Sequence, residues 1–189
     1  ELQPGEEKVF QVALTVADAP LAAYGLLASL TGETGEVSGS LRDSGGNPPV
    51  HGRLLAEIEG QTLAQYPDAE GRISFRLPPG AHTLRFEDIG RPGLERSISV
   101  RAGQTTQFDL QVSAASMVKI EIRGRDGNLS PGKVQFIGAD GTETPNFGTD
   151  YRAYGGDHQY QTHDGHVLQQ VPPGKYLIRI TRGPEFDLF

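Results

Sequence analysis

Three histidines and two aspartates fall within ten positions in Asp157-His158…His163-Asp164-Gly165-His166, the densest group of metal-ligand types in the chain. Imidazole nitrogens with a carboxylate would suit a tetrahedral zinc ion, and a β-hairpin could bring His158, His163, Asp164 and His166 together. Two features favour a plain turn. A parallel phrase upstream has Ala69-Glu70-Gly71 where this one has His163-Asp164-Gly165, with no histidine. Asp-Gly is also a common turn pair in its own right, and His163 and His166 flank it without an established ligand spacing. The sequence therefore assigns no metal here and leaves those four residues as the candidates should one bind.

Other chemistry is thinner. Ser74, Ser97 and Ser130 lack the G-x-S-x-G elbow that strains a nucleophilic serine at a strand-to-helix turn. The carboxylate pairs Glu6/Glu7 and Asp68/Glu70 fall in turns, where solvation is the default. Neither Gly45-Gly46 nor Gly155-Gly156 leads from a strand into a helix with the lysine of a phosphate loop. Asp140-Gly-Thr-Glu143 lacks the alternating acidic ligands of a calcium loop. No catalytic or cofactor-binding residue is assigned. Tyr151, Tyr154 and Tyr160 cluster in a chain without tryptophan and would be the platform of a sugar site.

The elements that would position these residues are written twice. Gly71-Arg-Ile-Ser-Phe-Arg-Leu-Pro-Pro-Gly80-Ala-His-Thr-Leu-Arg85 reappears as Gly165-His-Val-Leu-Gln-Gln-Val-Pro-Pro-Gly174-Lys-Tyr-Leu-Ile-Arg179 at a constant offset of 94 positions. A match of this length marks a repeated supersecondary unit. Each copy reads as strand, tight turn, strand: apolar residues alternate at Ile73, Phe75 and Leu77, then at Leu84 and Phe86, and Pro-Pro-Gly supplies a hairpin turn.

Short strands separated by Gly, Pro, Asp and Asn clusters follow at 36–41, 53–57, 72–76, 82–86, 94–100 and 105–112, then at 117–123, 133–138, 166–171 and 176–181. The expected fold class is all-β: two tandem Greek-key sandwiches, residues 35–113 and 114–189, the second with a long 139–164 loop. Residues 1–34 hold a strand at about 8–16, belonging either to the first sandwich or to a preceding domain, and one linker helix. Asp18 would cap that helix, Pro20 would sit in its first turn, and Leu21, Tyr24, Leu26 or Leu27, and Leu30 would form its apolar stripe.

Gly 25 and Pro 13 among 189 residues, with 7% aromatics, suit such a turn-rich chain. A net charge of −7 without clustered Lys or Arg argues against nucleic acid or an anionic membrane surface as partner. Zero cysteines exclude disulfides, thiolate nucleophiles and Cys-ligated metals, and no apolar run is long enough to span a bilayer. With Glu1 first, Met117 the one methionine, and Pro184-Glu-Phe-Asp-Leu-Phe189 reading as the start of a strand, the chain is expected to be an excised piece of a longer protein.

Gly46-Asn-Pro-Pro-Val50 followed by Asp68-Ala-Glu-Gly-Arg-Ile-Ser-Phe-Arg-Leu-Pro-Pro-Gly80 resembles carboxypeptidase regulatory-like (transthyretin-like) domains, over about residues 35–112 and more loosely over 114–182. Thr144-Pro-Asn-Phe-Gly-Thr-Asp150, Thr162-His-Asp-Gly165, Pro172-Pro-Gly-Lys-Tyr176 and Thr181-Arg-Gly-Pro-Glu-Phe186 resemble the region preceding the catalytic domain of carbaryl-hydrolase-like metallohydrolases of the PHP superfamily. That resemblance implies β-sandwich modules ahead of a barrel that binds divalent metals. The His-x-His of such a barrel is absent, so no catalytic residue carries over.

The expected function is a non-catalytic scaffold for a larger, exported (periplasmic or extracellular), metal-dependent hydrolase. No cofactor is expected in this chain, and the partner would be the catalytic domain, docked on an exposed patch of Phe147, Tyr151, Arg152 and Tyr154. The alternative is a module that itself binds a glycan or a peptide.

Overall fold

Period-two alternation of apolar and polar residues becomes facing sheets, as the physics of half-buried strands requires. The computed structural model describes residues 6–9, 12–148 and 156–182. A helix, α1 (Pro20–Thr31), precedes the first sandwich, built from β1 (Gly35–Asp43), β2 (Arg53–Ile58), β3 (Gln61–Gln65), β4 (Arg72–Leu77), β5 (Gly80–Glu87), β6 (Leu94–Val100), β7 (Thr105–Gln107) and β8 (Leu110–Val112). The second is built from β9 (Met117–Glu121), β10 (Gly132–Ala139), β11 (Gln159–Thr162), β12 (His166–Gln170) and β13 (Lys175–Thr181). Among the described residues the chain is all-β apart from that helix.

One sheet of the first sandwich runs β4-β1-β7, with β8 also beside β1, and the other runs β3-β2-β5-β6. Between them Val37, Leu41, Leu54, Phe75, Leu77, Leu84 and Phe86 form one core. Each such side chain contributes roughly 1.5–3 kcal/mol by leaving water. The second sandwich places β11-β10-β13 against β12-β9, around Val134, Phe136, Phe147, Val167 and Val171.

Pro-Pro-Gly does not make a hairpin. β4 pairs with β1 while β5 pairs with β2 and β6, so the turn carries the chain from one sheet to the other. The second copy behaves alike, since β12 pairs with β9 and β13 with β10. Both flanking strands point their apolar residues at one core from opposite sides, which a hairpin within a single sheet would not allow. The corner is pinned by the same bond in both copies: His82 Nε2–H donates to the Pro78 carbonyl, and the Tyr176 hydroxyl donates to the Pro172 carbonyl, each at 2.8 Å.

Backbone pairing repeats as faithfully. Leu41 N–H donates to the Gly71 carbonyl at 2.7 Å and Ile122 N–H to the Gly165 carbonyl at 2.8 Å. Gly71 and Gly165 both have positive φ (76° and 81°), and a Cβ on Gly71 would overlap the Leu41 carbonyl oxygen. Glycine is required there twice over, for conformation and for space.

Several expectations are corrected. β3 and β11 had no counterpart in the sequence reading. β3 follows a two-residue Glu59-Gly60 turn with both residues at positive φ, the geometry of a type I′ hairpin. β1 pairs in parallel with β7 and β8, so the first sandwich is not wholly antiparallel. The anticipated 105–112 strand is broken where Asp109 Oδ1 accepts from Ser40 N–H (2.9 Å) and Ser40 Oγ (2.8 Å).

The helix forms where expected, but Asp18 does not cap it. Ala19 is the N-cap and makes no side-chain cap bond. Its buried residues are Leu21 and Gly25, and Leu26, Leu27 and Leu30 are exposed. The shift has a cause: a Cβ on Gly25 would crowd the Arg76 carbonyl, so the helix docks on β4 along its smallest residue. Residues 12–16 belong to no sheet among the described residues.

Gly71→Ala should lose about 1–3 kcal/mol from the left-handed conformation alone, and more from the overlap. Gly103→Ala, at φ 65° in open space, should lose about 1–2 kcal/mol. Urea unfolding followed by circular dichroism distinguishes the two; equal losses would show that the overlap at Leu41 is relieved without cost.

Candidate functional site

The residues most constrained by chemistry lie between the sandwiches. The turn after β5, Asp88-Ile-Gly-Arg-Pro-Gly93, leaves the first sandwich and returns to it at β6, and its middle reaches the second. Ile89 is buried in the second core rather than the first. Gly90, at φ 79°, accepts a 2.9 Å hydrogen bond from Ser116 N–H, and the Ser116 carbonyl accepts from Val171 N–H at 3.1 Å. A Cβ on Gly90 would press on the carbonyls of both Ser116 and Val171.

Arg91 closes the junction. Its Nε–H donates to the Ser113 carbonyl at 2.7 Å, its Nη1 pairs directly with Asp88 Oδ2, and its Nη2 lies 3.6 Å from Asp43 Oδ2. One guanidinium thus ties together the turn after β5, the end of β1 and the linker to β9. The side chains of Arg91, Asp88 and Asp43 are 4%, 0% and 9% exposed. A planar guanidinium satisfies several acceptors at once, as a lysine could not.

The two carboxylates differ in character. Asp43 is held below the ordinary carboxylate range, first by the backbone N–H of Asn47 and to a smaller extent by Arg91. Burial pushes the Asp88 carboxyl up, while Arg91 pulls it the other way. An ionised Asp43 already balances much of the guanidinium charge, so the cluster does not depend on Asp88 alone. Asp88 Oδ1 and the nearby His51 Nδ1 are buried without a hydrogen-bond partner among the described residues. Beside them a cleft of about 530 Å³ lies between Asp88, Ile89, the 141–146 turn, Pro172, Pro173 and Tyr176. The arrangement joins the two sandwiches through charged and apolar contacts at once.

The candidates from the sequence lie elsewhere. His158 Nδ1 is 2.9 Å from Asp157 Oδ2, and His158 Nε2 is 3.4 Å from Gln135 Nε2. Asp164 Oδ1 accepts from His166 N–H (3.0 Å) and Thr162 Oγ1 (2.7 Å), bonds that hold its carboxyl below the usual range. It stabilises a turn, and His163 is exposed beside it. β11 and β12, which flank that turn, belong to different sheets, so the hairpin that would have converged the histidines is absent. Among the described residues no three His, Cys, Asp or Glu side chains come together as a metal site.

Phe147 is corrected outright. It is fully buried, edge-to-face on Phe136 with ring centroids 5.4 Å apart, and belongs to the second core instead of a docking patch. Its apolar ring finds more buried area against Phe136 than a surface loop could offer. Tyr151, Arg152 and Tyr154 lie outside the described residues. Tyr160 is half-buried against the same core. Asp140, at φ 51°, forms a 3.0 Å ion pair with Lys175 on the surface.

The junction was missed because its signal lies in a mismatch. At an offset of 94, Asp88 corresponds to Arg182, so the repeat changes charge where the first copy builds its contact with the second.

No family model matches the chain, and no curated protein does. Among solved structures it is similar to the Bacillus anthracis TIE protein, with 16% identity and a TM-score of 0.40, over 81% of this chain and 29% of that one. It is also similar to a Streptococcal ancillary pilin, with 15% identity and a TM-score of 0.37, over 81% of this chain and 60% of that one. A DUF3823 family protein from Parabacteroides merdae gives 13% identity and a TM-score of 0.35, over 78% and 89% of the two chains. The chain thus spans less than two thirds of the length of the first two. These are likenesses of β-rich architecture and assign no activity.

Arg91→Met should cost about 3–5 kcal/mol, because it leaves a buried carboxylate without its counter-charge. With Arg91 gone, burial, the largest influence on Asp88, is opposed only by His51 and the Ile89 N–H, so its folded pKa rises further. A raised folded pKa favours the protonated form, so the group's contribution is present at low pH and is lost as pH rises through that value. The deficit of Arg91→Met relative to wild type should therefore be largest at neutral pH and shrink on acidification. Urea unfolding at pH 7 and pH 4 measures it, and a pH-independent deficit would show that Asp88 is not the group left uncompensated.

Proposed function

We propose that this chain is a non-catalytic scaffold of two β-sandwiches, serving a larger, exported, metal-dependent hydrolase whose catalytic domain it positions. The observation that carries the reading is the junction. Ile89 of the first sandwich fills the second core, and Arg91 is bonded to three separate segments. A ligand-binding pair of modules has no need of such a lock, whereas a part that sets the distance and angle of a neighbouring domain does. The hydrolase assignment rests on the resemblance of residues 144–150, 162–165, 172–176 and 181–186.

The cysteine-free sequence makes the test direct. Spin labels at Ser97→Cys and Lys119→Cys, both exposed and one in each sandwich, should give a single narrow distance distribution that broadens in Arg91→Met. Equal breadth in both backgrounds would remove the scaffold reading. Hydrolysis of a p-nitrophenyl phosphate or ester by the purified chain with added Mn²⁺ or Zn²⁺ would overturn its non-catalytic part.

A glycan-binding reading draws on a different observation. A cleft of about 700 Å³ is lined by Gln65, Tyr66, Asp68, Arg72 and Ser74. Gln65 is 6% exposed; its Nε2 donates to the Tyr66 carbonyl at 3.2 Å, and its Oε1 has no partner among the described residues. A buried acceptor of this kind suits a ligand hydroxyl. A glycan array should then show binding that Ser74→Trp abolishes; silence across the array, or binding indifferent to that substitution, would end this reading.

A further inference from the structure

The cleft beside β4 follows from a change of side-chain size along one outer face. β1 and β4 run antiparallel, and their outward-facing partners are Glu36 with Arg76, Ser38 with Ser74 and Ser40 with Arg72. Long side chains therefore flank a central pair of serines, which leaves a polar floor. Its walls are Gln65, Tyr66, Pro67 and Asp68, from the segment that leads β3 into β4, and Asp18 ahead of α1.

The polar groups around this floor are one-sided. Arg72 is the one cation among the described residues that line it, and it is already engaged. Its Nε–H donates to Asp68 Oδ2 at 2.9 Å and its Nη2 to Glu70 Oε2 at 2.8 Å. The side chain and backbone N–H of the same arginine hold the Asp68 carboxyl below the usual carboxylate range. Asp18 is exposed and does not cap α1, so its carboxylate is left to the cleft. Gln65 Oε1 is a second acceptor, buried and without a partner among the described residues. On the floor, the Ser74 hydroxyl donates to Glu36 Oε1 at 3.0 Å and presents its lone pairs. A carboxylate and an amide oxygen only accept hydrogen bonds, so the complementary ligand is rich in donors and carries positive charge.

We propose that this cleft takes an amino sugar, with its ammonium group against Asp18 and its hydroxyls over Ser38, Ser74 and Gln65 Oε1; the proposal rests on the glycan reading of the same cleft. An anionic sugar would meet Asp18 and Asp68 as like charges. An ammonium on an alkyl chain, as in lysine, would lay methylenes across two serines and leave the buried amide oxygen unpaired. A sugar ring places a hydroxyl at each of those groups, and its C–H face suits the wall of Tyr66 and Pro67.

Isothermal titration of the intact chain with a glucosamine trimer, at mildly acidic pH where its amines are charged, should show binding about tenfold tighter than with the N-acetylated trimer. Added salt should narrow that difference. Asp18→Asn should bring the two affinities together, and Ser74→Trp should abolish both. Equal affinity of the two trimers, tighter binding of the acetylated one, or a preference that survives in Asp18→Asn would overturn the amino-sugar assignment while leaving a glycan site in place. Cadaverine bound as tightly as the glucosamine trimer would overturn it in favour of a simple alkylammonium ligand. Silence towards both trimers would overturn it as well, and the glycan reading falls with it only if the array is also silent.

Discussion

A buried guanidinium is what the relation between the two sandwiches depends on. Taking Arg91 out of water costs several kcal/mol unless its charge is balanced and its donors are used. One arrangement does both here, with Asp88 on its own turn, Asp43 at the end of β1 and the Ser113 carbonyl in the linker. If the second sandwich swings away, Ile89 leaves an apolar core and Ser113 and Ser116 move with the linker. Tandem domains are ordinarily free to reorient because their contacts are small and polar. Here a side chain from one body is part of the other body's core, a contact that opposes such reorientation.

The same economy appears within each sandwich. Proline has no N–H to offer at the corner between sheets, and the carbonyl of the first proline still needs a partner. Histidine supplies it in the first copy and tyrosine in the second, from the same position relative to the glycine. The chemistry of the corner is kept while the residue changes. The loop at 44–52 behaves likewise: Arg42 Nη1 donates to the Gly46 carbonyl and Arg123 Nη1 to the Gly127 carbonyl, although the following segments differ by a residue in length.

Much of the architecture was legible in the sequence, because alternation and glycine turns act locally. Ile73, Phe75 and Leu77 are buried, as their spacing demands, and nearly every anticipated strand is present. What local rules do not encode is which strand is a neighbour. Pro-Pro-Gly reads equally as a hairpin or as a corner between sheets, and the parallel partners of β1 are about seventy residues away in sequence. The site was harder to read. Histidines drew attention to 158–166, where they decorate a turn, whereas Arg91 sits in an ordinary-looking Gly-Arg-Pro-Gly run whose importance comes from Asp43, nearly fifty residues earlier. Phe147 could be read as a contact residue because nothing nearby in sequence announces Phe136 as its partner.

The parallel pairing of β1 with β7 and β8 also bears on how the first sandwich would respond to tension. β1 opens that sandwich and β8 ends it, and the two run side by side in the same direction. Pulling the chain from its two ends would slide these strands lengthwise past each other. Their hydrogen bonds would then be strained together in shear, not peeled one at a time, and shared loading is the geometry that resists mechanical rupture. Asp109, bonded to Ser40 at the break between β7 and β8, would act as a catch against that sliding.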